Sequence, residues 1–153
     1  MHSFWLYISR ARIAPRCGDE ALIYLQARSR NARDQITGYL HREDGHYIQY
    51  VEGPAAMLLA LRRDIRNDWR HRQIRTLAEG RVESRRFEGW DMAVSDEEMV
   101  SFSRFQRENR ATGPIAGASA DLILAFMGTA TREGVANSVA HTELKVLGEA
   151  VRH

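Results

Sequence analysis

The chain has 153 residues, a length that fits one domain with an appended helical tail. Hydrophobic residues make up 44% of it and charged residues 27%, as in globular proteins, and no apolar run approaches the roughly 18 residues of a membrane span. The single cysteine, Cys17, excludes an internal disulfide framework, and the N-terminal segment does not have the pattern of a signal peptide. We therefore expect a cytoplasmic protein without a membrane segment.

The positive charge is almost entirely arginine, and the net charge is +2. Arginine binds phosphate well, so nucleic acid has to be considered as a partner. In residues 62–70, however, arginines alternate with acidic residues, which is typical of a solvated helix face. No base-stacking motif accompanies them, so a nucleic-acid partner is not expected.

The first half of the chain begins with an aromatic and apolar segment, residues 4–9, that predicts a strand. A helix is predicted over residues 19–30, with Asp19 as its N-cap. Two strands follow, over residues 35–41 and 46–51. They are joined by a loop that contains an Asp-Gly pair, and this pair favours a hairpin because glycine accepts a positive φ.

Further along, Pro54 is suited to the first position of a second helix, predicted over residues 54–67. Strands are predicted over residues 74–82 and 89–94. The order is then βαββαββ, which indicates an α+β, ferredoxin-like sheet with two helices on one face.

The last third of the chain is predicted to be helical. One helix is expected over residues 96–106, capped by Ser95 with Glu98 three residues later. Two more are expected over residues 119–127 and 131–151. Their apolar faces need a partner, which is either the free face of the sheet or a second copy of the chain. We expect residues 1–95 to form one domain and residues 96–153 a C-terminal helical extension.

Common enzyme and metal motifs are not found. The sequence has no Gly-x-Gly-x-x-Gly fingerprint, no P-loop, no His-Glu-x-x-His and no Gly-x-Ser-x-Gly elbow. Cys17 has no histidine near it in sequence, so a structural role is favoured over a nucleophilic one. We predict no metal site and no enzymatic activity.

One polar residue interrupts an apolar strand. Gln49 lies in the middle of Tyr-Ile-Gln-Tyr-Val, and by alternation it shares a face with Tyr47 and Val51. In the first strand Trp5, Tyr7 and Ser9 share a face. Gln49 either lies on a solvated face or meets a polar ligand, and periodicity does not decide between the two.

The chain resembles the BLUF domains, blue-light sensors that use flavin, between about residues 4 and 94. Each motif is weak alone, but their joint order is specific. The motifs are Tyr7-Ile8-Ser9; Ser29-Arg30-Asn31 followed by Ile36-Thr37-Gly38-Tyr39-Leu40; Gly45-His46-Tyr47-Ile48-Gln49-Tyr50-Val51-Glu52-Gly53-Pro54; Ile65, Asp68 and Arg70-His71; and Arg86-Phe87-Glu88-Gly89-Trp90-Asp91-Met92.

The resemblance implies roles for individual residues. Tyr7 matches the tyrosine that donates an electron and then a proton to the photoexcited flavin, and Gln49 matches the glutamine between that tyrosine and the flavin. Asn31 matches an asparagine that hydrogen-bonds the flavin ring. Trp90 and Met92 match positions on the last strand that lie near the glutamine or tune it.

The resemblance also implies a cofactor site. Asp68, Arg70 and His71 match a loop at the polar periphery of the flavin, although Arg70 and His71 can equally cap the preceding helix. Arg30 stands where many members have asparagine or histidine, and it reaches either the flavin or solvent. Apolar helix residues are expected to sandwich the ring: Leu22, Ile23, Leu58 and Ile65.

The implied function is a blue-light photoreceptor that binds FAD, FMN or riboflavin. The resemblance is to the short members of the family, which signal by binding something else, so a homo-oligomer and an unidentified protein partner are expected. The alternative is a ferredoxin-like module that binds a ligand or protein without photochemistry.

Overall fold

A six-stranded mixed sheet is the centre of the protein, for which a computed structural model describes residues 2–134 and 136–138. The elements in chain order are β1 (His2–Ala11), α1 (Gly18–Asp34), β2 (Thr37–Glu43), β3 (His46–Gly53), α2 (Ala55–Arg66), β4 (His71–Val82), β5 (Ala93–Asp96), α3 (Phe102–Glu108), a 3-10 turn (Ile115–Gly117), α4 (Ala120–Arg132) and β6 (Asn137–Ser138). The first seven elements run βαββαββ, so the predicted ferredoxin-like α+β fold is confirmed.

The strands lie in the order β4-β1-β3-β2-β5-β6. β1 is antiparallel to both β3 and β4, whereas β5 runs parallel to β2. The β2–β3 hairpin closes through Asp44 and Gly45, both with positive φ, as the Asp-Gly pair predicts. This hairpin fixes the register between β2 and β3, and β1 pairs with the other edge of β3.

Each face of the sheet is covered by its own pair of helices. On one face, alternate residues of β1 such as Trp5 and Tyr7 pack with α1 and α2 in a first core cluster. On the other, Leu6 and Ile8 pack with α3 and α4 in a second core cluster around Phe126. Of the two partners considered for the C-terminal helices, the free face of the sheet is therefore the one observed.

The helix predicted over residues 96–106 begins later, at Phe102, as α3. Ser95 is a buried residue of β5, and Ser101 is the residue that caps α3, where its Oγ accepts the N–H of Arg104 at 3.1 Å. Asp96 ends β5, and its Oδ1 accepts the N–H groups of Glu98 and Met99 in the following turn. Pairing of β5 with β2 thus decides which serine caps.

Other boundaries also differ from the predictions. The strand predicted over residues 89–94 begins only at Ala93, because the preceding segment is fixed by contacts outside a strand ladder. Cys17, rather than Asp19, is the N-cap of α1. Pro54 was predicted as the first residue of α2 but is its N-cap. Residues 4–9 and 74–82 form strands as predicted, within longer β1 and β4.

The predicted C-terminal helix over residues 131–151 is contradicted where the structure describes it. The helix over residues 119–127 is confirmed as α4, which is longer and is capped by Ser119. α4 ends at Arg132, Gly134 has a positive φ, and β6 then pairs with β5. The remaining residues of that prediction, 139–151, lie outside the described residues.

Within the described residues there is no helix with the length and apolarity that a bilayer crossing requires.

Candidate functional site

A cavity of about 760 Å³ lies between α1, α2 and the first face of the sheet. This volume is within the roughly 300–1,000 Å³ of small-molecule and cofactor sites. The sheet contributes mainly polar and aromatic side chains to its walls, and the helices contribute aliphatic and charged ones. The lining residues are Tyr7, Ile23, Leu25, Gln26, Ala27, Ser29, Arg30, Asn31, Arg33, Leu40, Tyr47, Gln49, Leu61, Asp64, Ile65, Asp68, Arg70 and His71.

Tyr7 and Gln49 meet at the wall that the sheet forms. They are directly opposite one another in the β1–β3 ladder, so their side chains emerge on the same face. The Tyr7 hydroxyl donates to Gln49 Oε1, and Gln49 Nε2 donates to Met92 Sδ at 3.8 Å. The result is a continuous chain from phenol to amide to thioether.

Burial determines the protonation state of Tyr7. The side chain is enclosed, and its burial, followed by the negative charge of Asp68, raises the pKa of Tyr7 well above its ordinary value. The phenol therefore keeps its proton and acts as a donor toward Gln49.

Met92 and Trp90 occupy different places. Met92 is buried in the first core cluster and contacts Gln49. Trp90 packs against the second core cluster, on the other side of the sheet, and its carbonyl accepts the N–H of Gly38 at 3.1 Å. Both precede β5 rather than lying on it, and neither lines the cavity. Met92 is thus the nearer of the two to the cavity.

Asn31 is buried in the last part of α1 and lines the cavity. Its Nδ2 donates to the carbonyl of Asp91 at 2.7 Å. Asn31 therefore connects the cavity to the segment that carries Met92. Among the described residues, no donor is found for its side-chain oxygen, which can therefore accept a hydrogen bond from a ligand.

Asp68, Arg70 and His71, which follow α2 in the chain, also line the cavity. Arg70 binds Asp68 through two nitrogens, Nε at 2.8 Å and Nη2 at 2.7 Å, and also binds Gln26 of α1. Burial alone would raise the pKa of Asp68, but the hydrogen bonds from Arg70 hold it below its ordinary value.

His71 joins the end of α2 to β1. Its Nε2 donates to the carbonyl of Ile65 at 2.8 Å, since a carbonyl only accepts, and its Nδ1 is 2.7 Å from the Ser9 hydroxyl. The helix-capping role considered for His71 is thus present in the structure, and the ring also lines the cavity.

Arg30 spans the gap between the two helices. It forms an ion pair with Asp64 of α2, and its Nε lies 3.5 Å from Asp34 without a hydrogen bond in the described residues. Ile23 and Ile65 line the cavity, as expected of residues that flank a ring. Leu22, in contrast, is 47% exposed, and Leu58 packs in the core rather than in the cavity wall.

Three hydrogen-bonded residues at this site, Tyr47, Glu20 and Arg42, were not predicted as site residues. Tyr47 lines the cavity, and its hydroxyl donates to Glu20 at 2.5 Å beside Arg42, which reaches both groups. Strand alternation places Tyr47 on the face of Gln49, so that signal was available. The buried carboxylate of Glu20 gave no signal, because it resembles a solvated residue at the start of a helix.

The cavity fits a flavin in size and in chemistry. The aliphatic walls around Ile23 and Ile65 suit a flat aromatic ring, and the amides of Asn31 and Gln49 suit its polar edge. Charged groups such as Arg70 also line the cavity and suit phosphate or hydroxyl groups, which need partners. A flavin-binding α+β domain with a buried Tyr–Gln pair is the class that fold and site define.

Comparison with known proteins identifies the family. Residues 3–93 match the BLUF family model, described as sensors of blue light using FAD, and the chain belongs to this family. It is a blue-light photoreceptor that binds flavin.

Named relatives agree with this assignment. The chain is 32% identical over 96 residues to the photoactivated adenylate cyclase subunit beta of Euglena gracilis, which is 62% of this chain and 11% of that protein. The chain therefore spans about a tenth of the length of the curated relatives that it matches.

Solved structures show the same fold. BlrB, a BLUF protein in its dark state, matches with a TM-score of 0.66 and 30% identity over 81% of this chain and 96% of that one. Klebsiella pneumoniae BlrP1 with FMN and cyclic diGMP matches with a TM-score of 0.63 and 27% identity over 86% of this chain and 36% of that one. Membership of the BLUF family favours a photoreceptor over the alternative of a ligand module without photochemistry.

Proposed function

We propose that Tyr7 and Gln49 form the light-operated switch and that Met92 responds to the orientation of Gln49. The observation that carries the proposal is the hydrogen-bond chain from Tyr7 through Gln49 to Met92 at the wall of the cavity. A bound flavin supplies blue-light absorption and an excited state that accepts an electron and a proton. Tyr7 donates first the electron and then the phenolic proton.

Gln49 is suited to respond because its two amide atoms are different partners. In the observed orientation, Oε1 accepts from Tyr7 and Nε2 faces the weak acceptor Sδ of Met92. A half-turn of the amide, or its tautomerisation, changes what it offers both Tyr7 and the cavity. Gln49 would thereby change the hydrogen bonds offered to a bound flavin, and so its absorption, without a covalent bond.

The remaining site residues are proposed to hold the flavin, whether FAD, FMN or riboflavin. Asn31 and Gln49 bind the polar edge of the ring, and Ile23 packs on its face. Arg30, Asp68, Arg70 and His71 bind the periphery. Their positions in the cavity wall support this assignment.

The switch is tested by light-induced difference spectra of purified protein loaded with FAD. Tyr7→Phe and Gln49→Leu should each remove the red shift while flavin stays bound. Tyr24→Phe is the matched control, because Tyr24 is another buried tyrosine of the first core cluster that does not line the cavity. A red shift of wild-type size in Tyr7→Phe would contradict the mechanism.

We further propose that the signal leaves through β5 to α3. Ser95 of β5 contacts both the Tyr39 hydroxyl at 2.6 Å and His41 Nδ1 at 2.7 Å. His41 Nε2 contacts Glu43, which accepts the N–H of Phe102 at 2.6 Å at the start of α3. A polar chain thus connects the strand after Met92 to a helix on the second face.

Amplification is needed because one hydrogen bond contributes only about 0.5–1.5 kcal/mol, whereas a full two-state population shift needs about 5.5 kcal/mol. The helices after Ser95 are proposed to amplify the change by altering self-association or partner binding. Hydrogen exchange over residues 95–134, in darkness and under blue light, tests this route. Identical protection in both states would exclude it, and Ser95→Ala should reduce a difference that wild type shows.

The proposed output is therefore an interaction and not a reaction. We propose that residues 1–95 act as the photosensory domain and residues 96–153 as the extension that presents the signal to a second copy or to a cytoplasmic protein partner. Size-exclusion chromatography with light scattering, in darkness and under blue light, measures the first of these possibilities.

A further inference from the structure

Trp5 lies directly behind Tyr7 in the first core cluster. The two aromatic rings are stacked, with centroids 4.3 Å apart and planes inclined by 29°. Trp5 is fully buried, and its Nε1 donates to Thr76 Oγ1 at 2.9 Å. The residue that faces the cavity therefore has a second oxidisable ring in van der Waals contact on its far side.

Two arginines of α2 lie over the ring of Trp5. The guanidinium carbon of Arg62 is 4.6 Å from the ring centroid and that of Arg66 is 5.5 Å away. Both distances are within the range of cation–π contacts, which is about 6 Å. One exposed acid, Glu79, pairs with Arg62 at 2.5 Å and offsets part of its charge.

The stacked Trp5 ring could compete with Tyr7 as the residue that is left oxidised. An indole loses an electron more readily than a phenol that still holds its proton. If Trp5 gave one electron to Tyr7 before the phenolic proton left, Tyr7 would be restored with its proton and Trp5 would hold the positive charge. One electron would have left Trp5, and no proton would have reached the Gln49 side.

Positive charges over the ring oppose that transfer. A positive charge on the buried Trp5 ring would stand within about 6 Å of two guanidinium groups, those of the half-buried Arg62 and the exposed Arg66, and would be repelled by both. Arg62 and Arg66 therefore raise the free energy of oxidised Trp5 relative to oxidised Tyr7.

We propose that Trp5 is a latent second electron donor, held silent by Arg62 and Arg66 so that oxidation stays on Tyr7 beside Gln49. The proposal rests on the proposed role of Tyr7. It assigns Arg62 and Arg66 as positioning residues that set where the electron is lost, although neither lines the cavity.

Neutralisation of the two arginines tests the proposal in the full chain with bound FAD. In Arg62→Gln, and more strongly in Arg62→Gln with Arg66→Gln, a tryptophan radical should appear in transient absorption and electron paramagnetic resonance after a blue flash. The yield of the red-shifted state should fall severalfold in the same samples. Arg63→Gln is the matched control, since it removes an equal charge from an exposed position between the two on α2.

The source of the radical is identified by a second change. Trp5→Phe added to the double variant should abolish the radical signal and restore the red-shifted yield, which loosening of α2 would not do. A double variant with wild-type yield and no tryptophan radical overturns the proposal, as does a lower yield without the radical. A radical that persists after Trp5→Phe does the same.

Failure of this inference is separable from failure of the switch itself. If Tyr7→Phe retains the red shift, the Tyr7 mechanism is wrong and this inference fails with it. If Tyr7→Phe abolishes the shift but neutralisation of Arg62 and Arg66 has no effect, only the role of Trp5 is wrong.

Discussion

The sheet face under α1 and α2 encloses a cavity, whereas the face under α3 and α4 is filled by interlocking aromatic side chains. On the second face Phe126 meets Phe102, Phe105 and His41 with ring centroids 4.9–5.5 Å apart. On the first face a cavity between the helices is lined by aliphatic, polar and charged side chains. The first face thus has room for a cofactor, whereas the second is filled by the chain's own side chains.

Each face also carries a buried hydrogen-bond chain, and the two chains approach each other at β5. Met92 ends the first chain one residue before β5, and Ser95 belongs to the second. The hydrogen-bond chain on the cavity face contains the amide of Gln49, which can rotate. The hydrogen-bond chain on the packed face ends at the N-terminus of α3. A change at the first face can thus reach the second through one short strand.

The largest expected effect on stability comes from a substitution in the packed face. Phe126→Ala should lower the free energy of unfolding by about 3–5 kcal/mol, because it removes a buried ring and leaves a cavity. Urea denaturation of flavin-loaded protein measures it. Leu59→Ala, at a 61% exposed position of α2, should change this free energy by less than about 0.5 kcal/mol. Equal losses in both variants would mean that the second core cluster contributes no special stability.

Flavin loading tests the other side of the comparison. A ligand that binds only the folded state at 100 times its Kd stabilises by about 2.7 kcal/mol. The gain in hydrogen-exchange protection should concentrate in α1 and α2, which form the cavity, and be smaller in α3 and α4. Uniform protection of all four helices would contradict the division between a face that binds the cofactor and a face that does not.

Glu43 tests whether the polar chain holds α3 in place. Its carboxylate accepts from His41, from the backbone of Phe102 and from both donors of Ser103. Glu43→Gln removes the charge and disturbs these bonds, so the free energy of unfolding should fall by about 1–3 kcal/mol at neutral pH.

The pH dependence of this loss has a definite sign. Burial alone would raise the pKa of Glu43, but the hydrogen bonds from His41 and the start of α3 lower it from 4.5 to about 2. Because the folded-state pKa is lowered, the stabilisation is full above about pH 4.5 and is lost as the pH falls toward 2. The difference in unfolding free energy between wild type and Glu43→Gln should shrink over that interval. A constant difference would show that ionised Glu43 does not hold α3.

The same comparison explains what could be predicted from the sequence. Alternation placed Tyr7 and Gln49 each on a definite face of its strand, and the Asp-Gly pair predicted the β2–β3 hairpin. That the two side chains meet depends on the long-range pairing of β1 with β3, which no local pattern contains. Local pattern did not decide between Ser95 and Ser101 as a helix cap either. Both precede segments with helical pattern, and only the pairing of β5 with β2 removes Ser95 from that role.

Contacts between distant segments set the remaining limit. The stack of Trp5 on Tyr7 follows from their positions two apart on one strand, but the arginines over Trp5 come from α2, whose rotation no short pattern specifies. Likewise, Glu43 looks like a hairpin residue until α3 is packed against it. Side chains that join separate elements are the part that local periodicity does not contain.

The smallest expected effect concerns the link between the faces. Met92→Leu keeps the volume of the side chain, so the free energy of unfolding should change by less than about 1.5 kcal/mol. It removes the sulfur that accepts from Gln49 Nε2 in the observed orientation. Since that contact favours this orientation over the turned one, its loss should slow recovery in the dark without abolishing the red shift. Met57→Leu, at a 42% exposed position of α2, controls for the chemical change.

The rate of dark recovery separates two roles for Met92. A weak contact of about 0.5–1.4 kcal/mol that is formed in the transition state for recovery, but not in the light state, speeds recovery by about two- to tenfold. A slowing within that range, with a full red shift, means that Met92 biases the orientation of Gln49 from outside the cavity. Complete loss of the red shift would mean that the switch itself needs Met92. The proposed separation between a switch formed by Tyr7 and Gln49 and a neighbouring strand that responds to it would then be wrong.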